Sequence, residues 1–250
     1  MPSSEHVPSV SDSLVIIPTY NEKENVEKII RKICSLNAGF DILIVDDGSP
    51  DGTAAIVRRL QQKFPLNVFL EERARKLGIG TAYIHGFTWG LSRGYQYLIE
   101  MDADFSHNPE DLVRLREACV HGADLAIGSR YIRGVNVVNW PMGRVLMSYF
   151  ASVYVRFVTG MKVRDTTAGF KCYRRKVLET IDFSKIRFIG YAFQIEMKFT
   201  VWKHGFKVVE VPIIFTDRSE GSSKMSKGIF KEAVFGVLQM KVSSWFRKYS

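Results

Sequence analysis

Cysteine is scarce in this sequence, and its three copies form no recognisable framework. Cys34, Cys119 and Cys172 are odd in number and lie far apart in the chain. Disulfide-stabilised domains carry paired cysteines, and zinc sites carry cysteines or histidines at short, regular spacings. Neither pattern is present, so the simple interpretation is a protein with free thiols in a reducing compartment.

Long hydrophobic runs and an apolar leader are also missing. The apolar stretch 145–155 is well short of the ~20 residues that a membrane-spanning helix needs. Residues 1–13 are polar and contain two prolines, which predicts a flexible tail rather than a signal peptide. We therefore expect a soluble or peripheral protein without a transmembrane helix.

No run of lysine and arginine resembles a nucleic-acid-binding tail, although the chain is basic. Its 35 basic and 26 acidic residues give a net charge of +9 and a pI of about 9.4. A basic protein without a nucleic-acid motif favours phosphorylated substrates or an anionic membrane as partners, and we expect no nucleic acid. The 46% hydrophobic content is typical of a globular domain with a substantial core.

The first half of the chain alternates strand and helix patterns. Apolar strand patterns lie at 14–17, 41–45, 67–70, 97–101 and 125–127. Helix patterns lie between them at 24–36, 53–63, 79–92 and 109–119. This alternation predicts an α/β fold, in which a mostly parallel central sheet carries helices on both faces. The second half is less regular, with helix patterns at 145–159, 194–203 and 229–249 and strand patterns at 169–173 and 207–211.

An acidic pair, Asp102 and Asp104, follows directly after the predicted strand 97–101. Residues i and i+2 of an extended chain point to the same side, so both carboxylates should face one spot. A hard divalent cation, Mg²⁺ or Mn²⁺, suits two carboxylate ligands and commonly binds a diphosphate. The alternative is an Asp-rich turn in which Asp104 or Asn108 caps the next helix.

Polar segments also follow the first, second and fifth predicted strands, at 18–22, 46–49 and 128–131. The carboxyl ends of parallel strands share one edge of a sheet, which is where ligands bind. Asp47, at the end of the second strand, suits the hydroxyls of a ribose or the N–H edge of a base. The alternative for its segment is a tight strand-to-helix connection capped by Asp51 or Thr53.

Basic residues in the second half of the chain are candidates for binding phosphate. These are Arg130, Arg144, Arg218 and Lys224. Arginine binds phosphate through a planar fork and lysine as a point charge, although each of these residues alone is as well explained as a solvated surface charge. The last two lie in a Gly/Ser-rich loop, which favours a flexible phosphate clamp. His107 is a candidate metal ligand ranked below Ser106, because histidine is the softer ligand.

These segments, with 165–170, 193–196 and 218–224, resemble the family 2 glycosyltransferases of the GT-A type. Within that family they are most similar to the dolichyl-phosphate or polyprenyl-phosphate mannose synthases. The motif Asp102-Ala103-Asp104 fits many glycosyltransferases, whereas the whole set in this order is specific. The resemblance implies a flexible tail at 1–13, a GT-A catalytic domain at 14–227 and a C-terminal amphipathic helix at 228–250.

The resemblance also implies roles for the matched residues. Those expected to hold the nucleoside are Pro18, Tyr20, Glu22, Val45 and Asp47. Those expected to meet the diphosphate and a Mg²⁺ or Mn²⁺ ion are Asp102, Ala103 and Asp104, with Ser106 at the third metal position. Those expected to contact phosphates of the nucleotide sugar are Arg130, Arg218 and Lys224. Those expected near the sugar or the acceptor phosphate are Arg144, Asp165 and Gln194. Catalysis is assigned to Asp102, Asp104 and Arg130.

The activity implied is an inverting, metal-dependent transfer of mannose from GDP-mannose to a polyprenyl (dolichyl or undecaprenyl) phosphate. Relatives that act on sugar hydroxyls use a late carboxylate as base, and processive ones add a Gln-x-x-Arg-Trp motif, which this sequence lacks. An ionised phosphate acceptor explains that absence, since it needs no base. UDP-glucose as the donor, and a sugar hydroxyl as the acceptor, are the alternatives.

A lipid acceptor requires access to a membrane. The segment 229–249 combines apolar and basic residues, which is typical either of a helix in a membrane interface or of a helix packed on the domain. We expect peripheral attachment at the cytoplasmic face of a membrane. A membrane-anchoring partner subunit is a further expected partner.

Overall fold

The computed structural model describes residues 11–217, 227–246 and 249. Most of the expected tail 1–13 lies outside the described residues. The same holds for the predicted phosphate clamp, since Arg218 and Lys224 also lie outside them.

Strands and helices alternate through the first half of the chain. The strands are β1 (Ser13–Thr19), β2 (Phe40–Asp46), β3 (Val68–Glu72), β4 (Tyr97–Glu100) and β5 (Leu125–Ser129). The helices between them are α1 (Val26–Ser35), α2 (Thr53–Lys63), α3 (Ile79–Ser92) and α4 (Asp111–Val120). The elements agree with the periodicity of the sequence to within a few residues at their ends. One end that differs is the start of α4, because Asn108 Oδ1 accepts the N–H of Glu110 (3.1 Å) in a turn before the helix.

The second half contains more elements than its sequence pattern indicates. They are β6 (Val137–Val138), α5 (Met142–Thr159), β7 (Lys171–Arg174), α6 (Arg175–Thr180), a 3₁₀ turn (Phe183–Lys185), α7 (Ala192–Lys203), β8 (Val208–Pro212), β9 (Phe215–Thr216) and α8 (Lys227–Phe246). Helix α5 begins directly after Pro141, which occupies the N-cap position. Proline lacks an N–H, and at a helix start no intrahelical hydrogen bond is lost.

Within the described residues, seven strands form one sheet in the order β3-β2-β1-β4-β7-β5-β8. Strand β7 is antiparallel to β4 and β5, and the other neighbouring strands are parallel. The prediction of an α/β fold with a mostly parallel sheet is therefore confirmed. The apolar pattern at 169–173 does not reveal the direction of β7, because direction depends on where the chain returns after α5.

The sheet buries both of its faces under helices. Alternate residues of β1 separate cleanly: Val15 and Ile17 pack with α1, α2 and α4, whereas Leu14 and Ile16 pack with α3 and α7. Burial on both sides explains why these strands read as continuous apolar runs rather than as alternating patterns. A smaller apolar cluster joins α5, α7 and α8, so the C-terminal helix packs on the domain.

The glycines at the start of α3 permit close contact with the segment before α7. A Cβ atom added at Gly80 would lie 2.7 Å from the ring of Phe193, and one at Gly78 would lie 2.7 Å from the carbonyl oxygen of Ile189. Gly78 also has a φ angle of 100°, which only glycine adopts readily. These glycines therefore allow close approach between the start of α3 and the chain at the start of α7.

The carboxyl ends of β1, β2, β4 and β5 lie along one edge of the sheet, since these strands run in the same direction. The short pair β6 and β9 lies beside this edge, where His107 bridges to Phe215. No helix within the described ranges is long and apolar enough to cross a membrane.

Candidate active site

A cavity of about 370 Å³ opens at the carboxyl edge of the sheet. Predicted site residues that line it are Pro18, Glu22, Asp102, Ala103, Asp104, Arg130, Arg144 and Gln194. Thr167, from the matched segment 165–170, also lines the cavity, as do Trp140, Ser148 and Tyr191, which lie outside the matched motifs. The strand ends therefore bring together residues that are more than 170 positions apart in the chain.

A larger cavity of about 480 Å³ lies between α7 and α8 and contains none of the predicted site residues. Its buried carboxylate, Glu196, accepts the backbone N–H groups of Arg187 and Phe188 (both 2.9 Å). That carboxylate is thus used to hold the local backbone. We take the smaller cavity as the candidate active site, because there acidic and basic groups converge.

The acidic pair lies at the tip of β4, as the sequence predicts. Asp104 is buried and accepts the backbone N–H of Ser106 (3.0 Å), whereas the side chain of Asp102 keeps 34% of its surface exposed. The hydroxyl of Tyr83, from α3, donates to Asp102 Oδ1 (3.4 Å). Both carboxylates therefore lie at the cavity, where hydrogen bonds from Tyr83 of α3 and from the backbone of Ser106 hold them.

His107, the candidate metal ligand ranked below Ser106, also lines the cavity and contacts the same tip. Its ring stacks on Phe170, with 4.8 Å between centroids, and Nδ1 accepts the backbone N–H of Asp102 (3.4 Å). Burial lowers the pKa of His107 to about 4, so the imidazole is neutral at physiological pH and can act as this acceptor. The geometry thus gives His107 a structural contact with the acidic tip.

The donor set at this tip fits a hard divalent cation. Among the described residues, no group of three or more His, Cys, Asp or Glu side chains could hold a metal ion. Mg²⁺ is commonly held by one or two protein carboxylates, with substrate phosphates and water as the other ligands, and Asp102 and Asp104 match that arrangement. Ser106 is buried and is not among the residues that line the cavity, so its metal contact stays a prediction.

Arg130 is held rigidly by Asp165. Nε and Nη2 of the guanidinium donate to the two carboxylate oxygens (2.7 and 2.6 Å), and Nη2 also donates to Thr167 Oγ1 (2.7 Å). Burial alone would raise the pKa of Asp165, but the charge and hydrogen bonds of Arg130 lower it, so the pair stays ionised. Asp165 faces Arg130 and does not line the cavity; its contact with the sugar or acceptor stays a prediction.

Arg144 approaches the cavity from the first turn of α5. It pairs with Asp217 (2.8 Å), and its guanidinium lies 4.1 Å from the ring centroid of Trp140. The indole Nε1 of Trp140 is buried and has no hydrogen-bond partner among the described residues. A buried donor without a partner is costly, so this N–H is suited to an oxygen of a bound ligand.

The carboxamide of Gln194 is fixed by a buried ion pair. Glu100 and Lys171 are fully buried, with 3.1 Å between Oε2 and Nζ. Lys171 donates to the amide oxygen of Gln194, and the amide nitrogen donates to Glu100 Oε2 (2.9 Å). Gln194 therefore presents a defined orientation at the cavity wall.

The predicted nucleoside residues divide into two groups. Pro18 and Glu22 line the cavity, whereas Val45 is completely buried in the sheet. Lys76 lies over the ring of Tyr20, 4.9 Å from its centroid. Asp47 is buried beside Arg73, whose Nε donates to its carboxylate (2.6 Å). Arg73 follows β3 and is not among the residues predicted from the sequence, since the matched motifs include none at the carboxyl end of that strand.

A search of family models matches residues 14–182 to "Glycosyl transferase family 2". This region covers well over half of the chain. The chain belongs to glycosyl transferase family 2. The resemblance inferred from its motifs is thereby confirmed, and the protein is a glycosyltransferase.

Curated relatives of this glycosyltransferase are similar along most of their length. A "Polyprenol monophosphomannose synthase" from Mycolicibacterium smegmatis is 50% identical over 233 residues, which are 93% of this chain and 86% of that protein. An "Undecaprenyl-phosphate mannosyltransferase" from Micrococcus luteus is 47% identical over 224 residues, covering 90% of this chain and 91% of the relative.

Solved structures confirm the GT-A fold of this glycosyltransferase. Glucosyl-3-phosphoglycerate synthase from Mycobacterium tuberculosis, in complex with Mn²⁺, UDP and glucosyl-3-phosphoglycerate, superposes with a TM-score of 0.65 at 16% identity, covering 92% of this chain and 78% of that one. A mannosyltransferase from Pyrobaculum calidifontis in complex with GDP-Man and Mn²⁺ superposes with a TM-score of 0.57 at 16% identity, covering 95% and 64%.

Proposed function

We propose that this glycosyltransferase transfers mannose from GDP-mannose to a polyprenyl phosphate, with inversion at the anomeric carbon. The observation that carries the proposal is a single cavity that joins the carboxylates of Asp102 and Asp104 to the guanidinium groups of Arg130 and Arg144. The carboxylates suit a metal-bound diphosphate donor, and the guanidinium groups suit phosphate oxygens. The names of the relatives at 50% and 47% identity support mannose as the sugar and a polyprenyl phosphate as the acceptor.

The acceptor phosphate accounts for the chemistry that the cavity must supply. A phosphate monoester has a second pKa of about 6 and is largely ionised at neutral pH, so its oxygen can attack without a general base. It must instead be held near another anion, which requires positive charge. Arg130 and Arg144 supply that charge, and the N–H of Trp140 and the hydroxyl of Ser148 offer hydrogen bonds at the same wall.

The donor is assigned to the acidic wall. When bound by Asp102 and Asp104, Mg²⁺ or Mn²⁺ would neutralise charge on the leaving nucleoside diphosphate. Pro18 and Glu22 extend this wall, and the Asp47–Arg73 pair lies farther along the same strand ends, which suits a nucleoside. Arg218 and Lys224, which lie outside the described residues, stay proposed contacts to the donor phosphates.

The lipid chain of the acceptor requires an apolar surface next to the cavity. Helix α5 carries Arg144 and Ser148 in the cavity and exposes Phe150 and Phe157, the latter with 88% of its surface exposed. Helix α8 packs beside it, since Tyr154 donates to the carbonyl of Val234 (2.9 Å), and exposes further large apolar side chains: Phe235, Trp245 and Phe246. These exposed side chains support peripheral attachment of α5 and α8 to a membrane, and we propose that the leaflet is the cytoplasmic one.

The test is transfer of labelled mannose from GDP-mannose into an organic-extractable lipid, with polyprenyl phosphate as the acceptor and Mn²⁺ present. We expect incorporation that EDTA abolishes and that excess Mn²⁺ restores. Incorporation from UDP-glucose but not from GDP-mannose would replace the proposed donor. Transfer to a sugar hydroxyl, with none to polyprenyl phosphate, would overturn the proposed acceptor.

A further inference from the structure

The segment 164–168 carries the partners of Arg130 although it forms neither helix nor strand. Asp165 and Thr167 both accept hydrogen bonds from the Arg130 guanidinium. Residues 165–168 of the segment are buried, with Asp165 and Thr166 at 0% exposure, whereas Arg164 at its start is exposed. A buried irregular segment needs partners outside itself for its backbone N–H and C=O groups.

Lys198 satisfies two carbonyl groups of this segment. Its ammonium group, fully buried on α7, donates to the carbonyl oxygens of Thr166 (3.0 Å), Ala168 (2.6 Å) and Gln194 (3.0 Å). Burial and the nearby charge of Lys171 lower the pKa of Lys198. Three carbonyl acceptors nevertheless use all three ammonium protons, which a neutral amine does not have.

Glu210 satisfies the N–H groups at the other end of the segment. Its carboxylate, on the edge strand β8, accepts the backbone N–H groups of Arg164 (2.7 Å) and Asp165 (2.9 Å). The same carboxylate accepts the hydroxyl of Ser129 (2.7 Å), the residue directly before Arg130. One anion and one cation therefore hold the two ends of the segment.

We propose that Lys198 and Glu210 are positioning residues, which orient the Arg130 guanidinium for phosphate by holding the segment 164–168. Neither residue lines the cavity, so they act through Asp165 and Thr167. Burying an ammonium group costs free energy that an apolar side chain of the same length does not. The buried charge of Lys198 is therefore explained by its role in holding the segment 164–168, which orients Arg130. This role in phosphate binding rests on the function proposed above.

The first test measures Arg130 directly, without substrate. In ¹⁵N-labelled protein, the Arg130 Nε–H signal is assigned by its loss in Arg130→Lys, and its hydrogen-exchange rate is measured. Lys198→Met should raise that rate at least about tenfold, because the hydrogen bond to Asp165 loosens. Val201→Ala, a fully buried apolar substitution on the same helix, is the matched control and should leave the rate unchanged.

The second test measures transfer to polyprenyl phosphate. Lys198→Met should lower kcat/KM for the acceptor by about 10- to 100-fold, as small misplacements of a binding group do, while the KM of the donor stays within about twofold. In an Arg130→Met background, Lys198→Met should lower kcat/KM for the acceptor much less, because the two residues act as one unit. Glu210→Gln, on an edge strand, should reproduce these effects and replaces Lys198→Met if that variant does not fold.

Wild-type exchange at Arg130 in both Lys198→Met and Glu210→Gln would overturn the positioning role. The same change in exchange rate in Val201→Ala would overturn it as well. So would a loss of kcat/KM in Lys198→Met that adds fully to the loss in Arg130→Met. If the exchange rates change as expected but the wild-type protein transfers nothing to polyprenyl phosphate, the proposed function fails and the positioning role stands.

Discussion

Arg73 donates from Nε to the carboxylate of Asp47 (2.6 Å), and its Nη1 donates to Thr81 at the start of α3 (2.8 Å). Both members of the pair are largely buried. The contact links the ends of β2 and β3 to α3, beside the wall assigned to the nucleoside. A carboxylate in this position is held in one orientation before any ligand binds.

Substitution of Arg73 by Met should therefore weaken donor binding more than acceptor binding. We expect KM for the donor to rise about tenfold, because a buried charged partner is lost and Asp47 is released. Steady-state kinetics with each substrate varied in turn provide the measurement. Arg58→Met, which removes an exposed ion pair with Glu72, is the control and should change neither KM. A rise confined to the acceptor KM would contradict the assignment of this wall.

Asp104→Asn should abolish transfer while the protein stays folded. The neutral amide is a weaker ligand for a hard cation, so binding of Mn²⁺ in the presence of GDP, measured by calorimetry, should fall below detection. Asp124→Asn, at the opposite edge of the sheet, is the control, since its carboxylate accepts the N–H of Lys207 (2.9 Å) far from the cavity. Wild-type turnover in Asp104→Asn would refute the metal role.

Trp140→Phe should weaken binding of the acceptor and leave binding of the donor unchanged. This change keeps most of the ring beneath the Arg144 guanidinium but removes the buried Nε1–H. We expect the acceptor KM to rise about fivefold, which corresponds to about 1 kcal/mol for one hydrogen bond, with the donor KM unchanged. Arg144→Met should raise the acceptor KM further, whereas Arg59→Met, at an exposed position on α2 outside the cavity, should leave it nearly unchanged. An unchanged acceptor KM in both Trp140→Phe and Arg144→Met would remove this wall from the acceptor site.

His107 makes stability depend on pH in a definite direction. Its pKa is lowered to about 4 in the folded protein from the ordinary histidine value of 6.5, so the unfolded chain binds the proton first as pH falls. The contribution of the neutral ring to the free energy of unfolding is complete above pH 6.5 and is lost as pH falls toward 4. The loss should reach at most about 3 kcal/mol.

Denaturant unfolding of EDTA-treated protein between pH 7 and pH 4 measures this loss. The difference between wild type and His107→Asn should shrink as pH falls, because only the wild type carries the titrating ring. His121→Gln, at an exposed position, serves as the control. A difference that stays constant across this range would show that His107 is not buried as a neutral group.

Replacement of Phe150 and Phe157 by Ser should reduce binding to membranes. Both side chains are exposed on α5, so the change removes apolar contact with lipid without opening the core. Co-sedimentation with anionic vesicles should fall severalfold, whereas Leu66→Ser, exposed in the loop before β3, should leave it unchanged. Wild-type protein that does not sediment with vesicles would instead favour a membrane-anchoring partner subunit.

The sequence predicted the elements of the first half well because local and global signals agree there. Helix α2 and helix α3 have the predicted bounds, and Asp102 and Asp104 follow the end of β4 as the apolar run before them indicates. The second half was less predictable, since β7 is antiparallel and the pair β6 and β9 is held by contacts between distant segments. Short strands of this kind have no periodicity long enough to detect.

Hydrophobic periodicity and the polar residues at strand ends determined the fold class, the edge that bears the candidate site, and the acidic pair. Only the tertiary structure decided which side chains meet. Asp165 holds Arg130, Arg73 holds Asp47, and Lys198 holds a segment 30 residues away in sequence. The physical reason is that the partners and the burial of a charged side chain decide its orientation and its pKa. Both depend on packing between segments that are distant in the chain, and such packing leaves no periodic pattern in the sequence.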